Sequence, residues 1–213
     1  MKLTYEEELL RLQEMESIEA EIRHSQNITR IAGVDEAGRG PLAGPVYAAA
    51  VILPEGCIIE GLNDSKKLTE KRREELYDII ISKAISWSVQ AVDEKIIDDI
   101  NILNATFLAM NRAVESLDPE SEFVLVDGNR IKNMSVPHMT VVKGDSKSIN
   151  IAAASVLAKV SRDRYICDIA SKYPEYGFEL HKGYGTKAHV DALLKYGPCE
   201  IHRKTFLKKI LGN

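Results

Sequence analysis

Hydrophobic residues recur with two different periods along this chain. Near the N-terminus Leu3, Leu9, Leu10, Leu12, Met15, Ile18 and Ile22 are spaced among glutamates at helical intervals, which predicts one amphipathic helix over residues 3–23. Ser25-Gln26-Asn27 interrupts that pattern. Short apolar runs then predict strands at Ile31–Asp35, Pro45–Leu53, Ile85–Val92, Phe123–Val126 and Met139–Val142. The first two pair through the Gly38–Gly44 loop. Helical spacing returns after Thr69, a good N-cap that leads into Leu76, Ile79, Ile80 and Ala84. It recurs over Asn101–Leu117, over the alanine-rich stretch Ile149–Ile169, and over residues 186–196 and 203–211. Strands first, then strands alternating with helices, predict an α/β fold with a mixed sheet covered by helices. The division expected is a helical extension at residues 1–28 and a main domain at 29–213, with neither repeats nor low-complexity segments.

Composition narrows this picture only slightly. No apolar run approaches the ~20 residues that span a bilayer, and the glutamate-rich N-terminus lacks a signal-peptide pattern. Cys57, Cys167 and Cys199 are odd in number and far apart, so they suggest neither a zinc pattern nor a disulfide framework, which fits a reducing cytoplasm. The net charge of −4 looks wrong for a nucleic-acid binder, but its distribution is uneven. Residues 1–23 alone contribute −4, whereas residues 181–213 carry a net +5. Lys66, Lys67, Lys71, Arg72 and Arg73 form a second basic cluster. Local potential, not net charge, attracts a phosphate backbone.

The chemistry sits at the strand ends, where α/β sheets place their sites. Three predicted strands run out into carboxylates: Asp35 with Glu36, Asp127, and Asp145. Any one of them is also what a plain turn looks like. Together they predict a four-acid site, which would repel itself without cations. Two Mg²⁺ or Mn²⁺ ions ~3.5–4 Å apart suit such oxygen donors, and the absence of histidine from these motifs argues against zinc. Directly after Glu36 comes the turn Gly38-Arg39-Gly40, whose backbone N–H groups can approach a phosphate or sugar closely.

Five ordered blocks then carry a family resemblance. They are Asp35-Glu36-Ala37-Gly38-Arg39-Gly40-Pro41; Asn63-Asp64-Ser65-Lys66-Lys67-Leu68; Val126-Asp127-Gly128-Asn129; Lys143-Gly144-Asp145 with Ala152–Arg164; and Lys182-Gly183-Tyr184-Gly185-Thr186. In this order, from about residue 30 to 210, the chain resembles bacterial ribonuclease HII, the type 2 ribonuclease H. The resemblance implies a ribonuclease H-like mixed five-stranded sheet with a small helical C-terminal part. It implies a monomeric, metal-dependent endoribonuclease that cuts RNA in RNA/DNA hybrids and single ribonucleotides embedded in duplex DNA. Cleavage falls 5′ to the ribonucleotide and leaves 3′-hydroxyl and 5′-phosphate ends, as ribonucleotide excision repair requires. Asp35, Glu36, Asp127 and Asp145 match the metal-binding carboxylates. Gly38, Arg39 and Gly40 match the loop at the ribonucleotide 2′-OH, Tyr184 the tyrosine at the RNA–DNA junction, and Lys66 a phosphate-binding loop. The 2′-OH is the one group that marks a ribonucleotide, so a glycine turn and a tyrosine are suited to read it.

Arg162 and Asp163 are expected to form a structural ion pair, the five histidines to be surface or packing residues, and the N-terminal helix carries no derivable role. Two other nucleases remain open. Ribonuclease HIII usually carries an N-terminal substrate-binding domain of sheet character, for which residues 1–30 are too short and too helical. A two-metal DNA nuclease of the same fold would not need a 2′-OH-reading loop. A non-catalytic hybrid-binding module would be expected to lack one of the four acids.

Overall fold

The computed structural model describes residues 4–212, so Leu3 of the predicted N-terminal helix lies outside the described residues. A five-stranded sheet forms the centre, in the order β3–β2–β1–β4–β5. Its strands are β1 (Ile31–Ala37), β2 (Val46–Ile52), β3 (Ser86–Val92), β4 (Phe123–Asp127) and β5 (His138–Val141). β1, β2 and β3 pair antiparallel, while β1, β4 and β5 run parallel. The mixed sheet read from the sequence is therefore present, and β1 is its pivot.

Residue alternation sends the two faces of the sheet to different helices. On one face Ala49 and Val51 pack with α3 (Glu70–Lys83) and α5 (Ile149–Ala170). On the other, Val34, Ala48, Ala50 and Val126 pack with α4 (Glu94–Glu115). The alanines of α5 leave little side chain between helix and sheet. At Gly33 an added Cβ would lie 2.1 Å from the backbone carbon of Asn150, so this strand position has no room for a side chain. Asn150 is buried and links three elements: its amide donates to Ile31 O at 3.2 Å and its carbonyl accepts from Leu53 N at 2.9 Å.

Several boundaries differ from the sequence reading, three of them with structural consequences. The N-terminal helix is two helices, α1 (Tyr5–Met15) and α2 (Ser17–Gln26), broken at Glu16. Leu12 and Met15 of α1 pack in one core cluster and Ile22 of α2 in another. Buried Glu19 of α2 accepts from Ser148 Oγ at 2.6 Å and from Asn150 N at 3.2 Å. The extension thereby places a carboxylate on the N-terminus of α5, where unpaired N–H groups favour one. Second, α4 begins seven residues before the predicted start, capped by Asp93, and kinks at Asn101, which has φ 67°. Third, β1 runs on to Ala37 instead of stopping at Asp35. The small C-terminal part is helical as expected, with α6 (Phe178–His181), α7 (Lys187–Tyr196) and α8 (Lys204–Leu211).

Candidate active site

Parallel pairing brings the predicted acids to one edge of the sheet. β1 and β4 are last in register at Val34 and Val126, so Asp35 and Asp127 follow side by side. Beyond that point β1 stays paired only with β2, Asp35 to Ala49 and Glu36 to Ala48, and its other flank is open. After β5, Lys143 adopts a left-handed conformation (φ 57°) and a short 3-10 turn returns Asp145 toward the same edge. The Gly144 N–H donates to Asp127 Oδ1 at 2.6 Å, tying that turn to the end of β4.

The electrostatics of this edge are strained. Asp35 is 5% exposed, and burial, then the charges of Glu36 and Asp127, push its carboxyl well above the usual carboxylate range. Burial also raises Glu36, against the opposing pull of the Arg39 guanidinium 3.4 Å away. Asp145 is raised by burial and then by Asp64 and Asp127. Lys66 opposes that shift with its Nζ 4.0 Å from Asp145 Oδ2. Four carboxylates thus face two basic side chains, both reaching in from the exposed rim. Their all-oxygen donor set has the chemistry to hold a hard divalent cation. Among the described residues, no three His, Cys, Asp or Glu side chains are already gathered closely enough to form a finished metal cage.

The glycine turn and Tyr184 meet beside these acids. A cleft of about 200 Å³ is lined by Asp35, Glu36, the Gly38–Gly40 turn, Ser65, Lys66, Lys159 and Tyr184. A Cβ added to Gly40 would touch only the Tyr184 ring, at 3.8 Å. Tyr184 is 42% exposed and so is no core tyrosine. The two segments are joined directly: Leu42 N donates to Gly183 O at 2.8 Å. Gly183 has φ 82°, and a Cβ there would come 2.7 Å from Ala43 O.

Comparison with known proteins places the chain in a family. Residues 32–209 match the Ribonuclease HII family. The chain belongs to the ribonuclease HII family. It is 63% identical to Ribonuclease HII of Caldicellulosiruptor bescii over 182 residues, which is 85% of this chain and 88% of that relative. It is 54% identical to Ribonuclease HII of Acetivibrio thermocellus over 210 residues, 99% of this chain and 82% of that one. The crystal structure of ribonuclease H2 from Pyrococcus horikoshii OT3 superposes with a TM-score of 0.71 at 30% identity, covering 85% of this chain and 96% of that chain. This member of the ribonuclease HII family is accordingly a ribonuclease H-type hydrolase. Among its described residues no helix is long and apolar enough to cross a membrane.

Several residues behave differently from the sequence reading. Among the described residues Arg162 has no ion-pair partner. It is fully buried and donates to three backbone carbonyls, Ala43 at 3.1 Å, Pro45 at 3.1 Å and Lys182 at 3.0 Å. Asp163 pairs instead with Lys159 at 2.7 Å and Arg73 at 4.0 Å. The Asn63–Leu68 block supplies a further carboxylate, Asp64, beside its lysines. Asp64 sits against Asp145 and caps a separate 3-10 turn, Ser65–Lys67, by accepting from Lys66 N at 2.9 Å. Three histidines prop the Tyr184 turn. Cys199 N donates to His202 Nδ1 at 2.9 Å, which leaves the proton of neutral His202 on Nε2. That proton goes to His189 Nε2 at 3.1 Å, and His189 Nδ1 in turn donates to Tyr184 O at 2.9 Å. His181 stacks on His189 with ring centroids 4.5 Å apart.

Proposed function

We propose that this chain is an endonuclease that hydrolyses RNA in RNA/DNA hybrids and single ribonucleotides embedded in duplex DNA. The cut falls on the 5′ side of the ribonucleotide and leaves 3′-hydroxyl and 5′-phosphate ends. The observation that carries this reading is the meeting of Gly40 and Tyr184 in the same cleft as Asp35 and Glu36. A group that reads the 2′-OH is useful to a nuclease only beside the bond it selects.

Residues 29–213 act as the catalytic domain and residues 1–28 as an N-terminal extension, whose helix α2 docks on it through Glu19. Asp35, Glu36, Asp127 and Asp145 would hold two Mg²⁺ or Mn²⁺ ions. Bound there, such ions supply Lewis acidity for an attacking water and for the departing oxygen. The remaining work belongs to the protein. The Gly38–Gly40 amides and the Tyr184 hydroxyl bracket a ribose 2′-OH, and the tyrosine ring packs on the next sugar, where a second 2′-OH would crowd it. Lys66, exposed at the rim, meets a phosphate. Desolvation lowers the basicity of its ammonium, but Asp35, Asp145, Asp64 and Asp127 together outweigh that effect and hold it charged.

The test is cleavage of three end-labelled duplexes in Mg²⁺ and in Mn²⁺: all-DNA, DNA with one ribonucleotide, and a uniform RNA/DNA hybrid. The expected result is a single cut 5′ to the lone ribonucleotide, cleavage of the hybrid, and an intact all-DNA duplex. Equal cleavage of all-DNA would replace this reading with a two-metal DNA nuclease. A strong preference for the uniform hybrid would indicate ribonuclease HIII-like specificity.

A further inference from the structure

Arg203 belongs to the basic C-terminal cluster, yet it is fully buried and cannot reach a phosphate itself. Its guanidinium donates to four backbone carbonyls. Nε reaches Gly44 O at 2.8 Å, Nη1 reaches both Arg39 O and Pro41 O at 2.9 Å, and Nη2 reaches Gly38 O at 2.6 Å. Arg203 N also donates to Leu42 O at 2.9 Å, and Gly44 N donates to Ile201 O at 2.8 Å. The Gly38–Gly44 segment is therefore wrapped around one side chain that enters from more than 150 residues away.

The direction of these bonds matters. In a trans peptide the carbonyl and the following N–H point opposite ways. With the Gly38 carbonyl turned inward, the Arg39 N–H faces the cleft. With the Arg39 carbonyl inward, the Gly40 N–H does so too. Neither N–H makes a hydrogen bond among the described residues, and both residues are exposed. Two adjacent free amides over a buried cation form a preorganised cradle for an oxygen ligand. Arg162 lies next to Arg203 and fastens the same segment to Lys182 O, which anchors the Tyr184 turn.

We propose that Arg203 is a positioning residue for ribonucleotide recognition: it turns the Gly38–Pro41 carbonyls inward so that the Arg39 and Gly40 amides face the 2′-OH and the adjacent phosphate. This rests on the function proposed above. Burial, and then the charge of Arg162, lower the Arg203 pKa to about 9, so the group stays cationic at neutral pH. Lysine cannot replace it, because a single ammonium offers three donors at one point, whereas the guanidinium spans a fork of five.

The experiment compares the wild type with Arg203→Lys and Arg203→Ala on the one-ribonucleotide duplex, with thermal unfolding to establish that each variant is folded. Two mispositioned donors correspond to about a 100-fold fall in kcat/KM, carried mainly by KM. Millimolar guanidinium ion should restore activity to Arg203→Ala, while urea, which has a similar shape but no charge, should not. A variant that is merely destabilised would lose activity in guanidinium, so rescue separates positioning from stability. A folded Arg203→Lys enzyme with wild-type kcat/KM, or a folded Arg203→Ala enzyme that guanidinium does not rescue, would overturn the proposal. If Arg203→Ala does not fold, the lysine variant decides. A wild-type enzyme that cuts all-DNA as readily as the one-ribonucleotide duplex would overturn the underlying functional reading instead.

Discussion

Acid should loosen this fold through His202, and the size of the effect follows from the structure. His202 is 2% exposed, and burial, then its neighbour His189, lower its pKa from 6.5 to about 4. His189 is lowered as well, chiefly by burial. Cys199, whose thiol burial pushes up to about 11, offers no negative charge to stabilise a histidinium. As the pH falls below 6.5 the unfolded chain takes up a proton at this histidine while the folded chain resists until about 4. Stability from His202 is thus fully present above pH 6.5 and lost progressively down to pH 4. The gap amounts to about 2 kcal/mol at pH 5 and roughly 3 kcal/mol by pH 4. For a chain of this size 2 kcal/mol lowers Tm by about 4–8 °C. The buried acids Asp35, Glu36, Asp145 and Glu19 have raised pKa values and oppose this trend, so the wild type alone does not isolate it. The measurement is urea unfolding of wild type and His202→Gln at pH 7, 6 and 5. The variant should be less stable at pH 7, and the difference should shrink by about 2 kcal/mol at pH 5. Parallel stability curves for the two proteins would refute the assignment of a neutral buried histidine.

Other variants probe the site and its frame. Asp127→Asn should lower kcat by at least about 100-fold at saturating Mg²⁺ on the one-ribonucleotide duplex, and near-wild-type cleavage would sink the metal assignment. Tyr184→Ala should reduce the preference for a lone ribonucleotide over a uniform hybrid by about tenfold, and an unchanged ratio would remove Tyr184 from recognition. Gly33→Ala places a methyl 2.1 Å from the Asn150 backbone carbon and should cost about 3 kcal/mol as α5 is forced off the sheet; an unaltered Tm would contradict that close approach.

Much of the architecture was readable along the chain. Alternating and apolar runs located all five strands, because each strand needs only local pattern to bury a face. Strand ends were less legible: β1 continues to Ala37 because β2 supplies partners past the point where β4 stops. The N-terminal break at Glu16 was hidden for the same kind of reason. Helical spacing is continuous through it, whereas the two helices pack into different core clusters.

The candidate site divides along the same line. The sequence alone determined the chemistry, namely four carboxylates after apolar runs, a Gly-Arg-Gly turn and a tyrosine between glycines, since side-chain identity is written in the chain. Tertiary structure decided which of them meet and what holds them there. Asp64 joins Asp145 only once the loop after β2 folds back over α5. Arg162 and Arg203, one expected in an ion pair and the other counted in the net positive charge of residues 181–213, are buried fasteners of the Gly38–Gly44 segment. Their partners are backbone carbonyls, which every residue possesses. A bond to such a group leaves no mark in the sequence and exists only when the fold turns it to face the arginine.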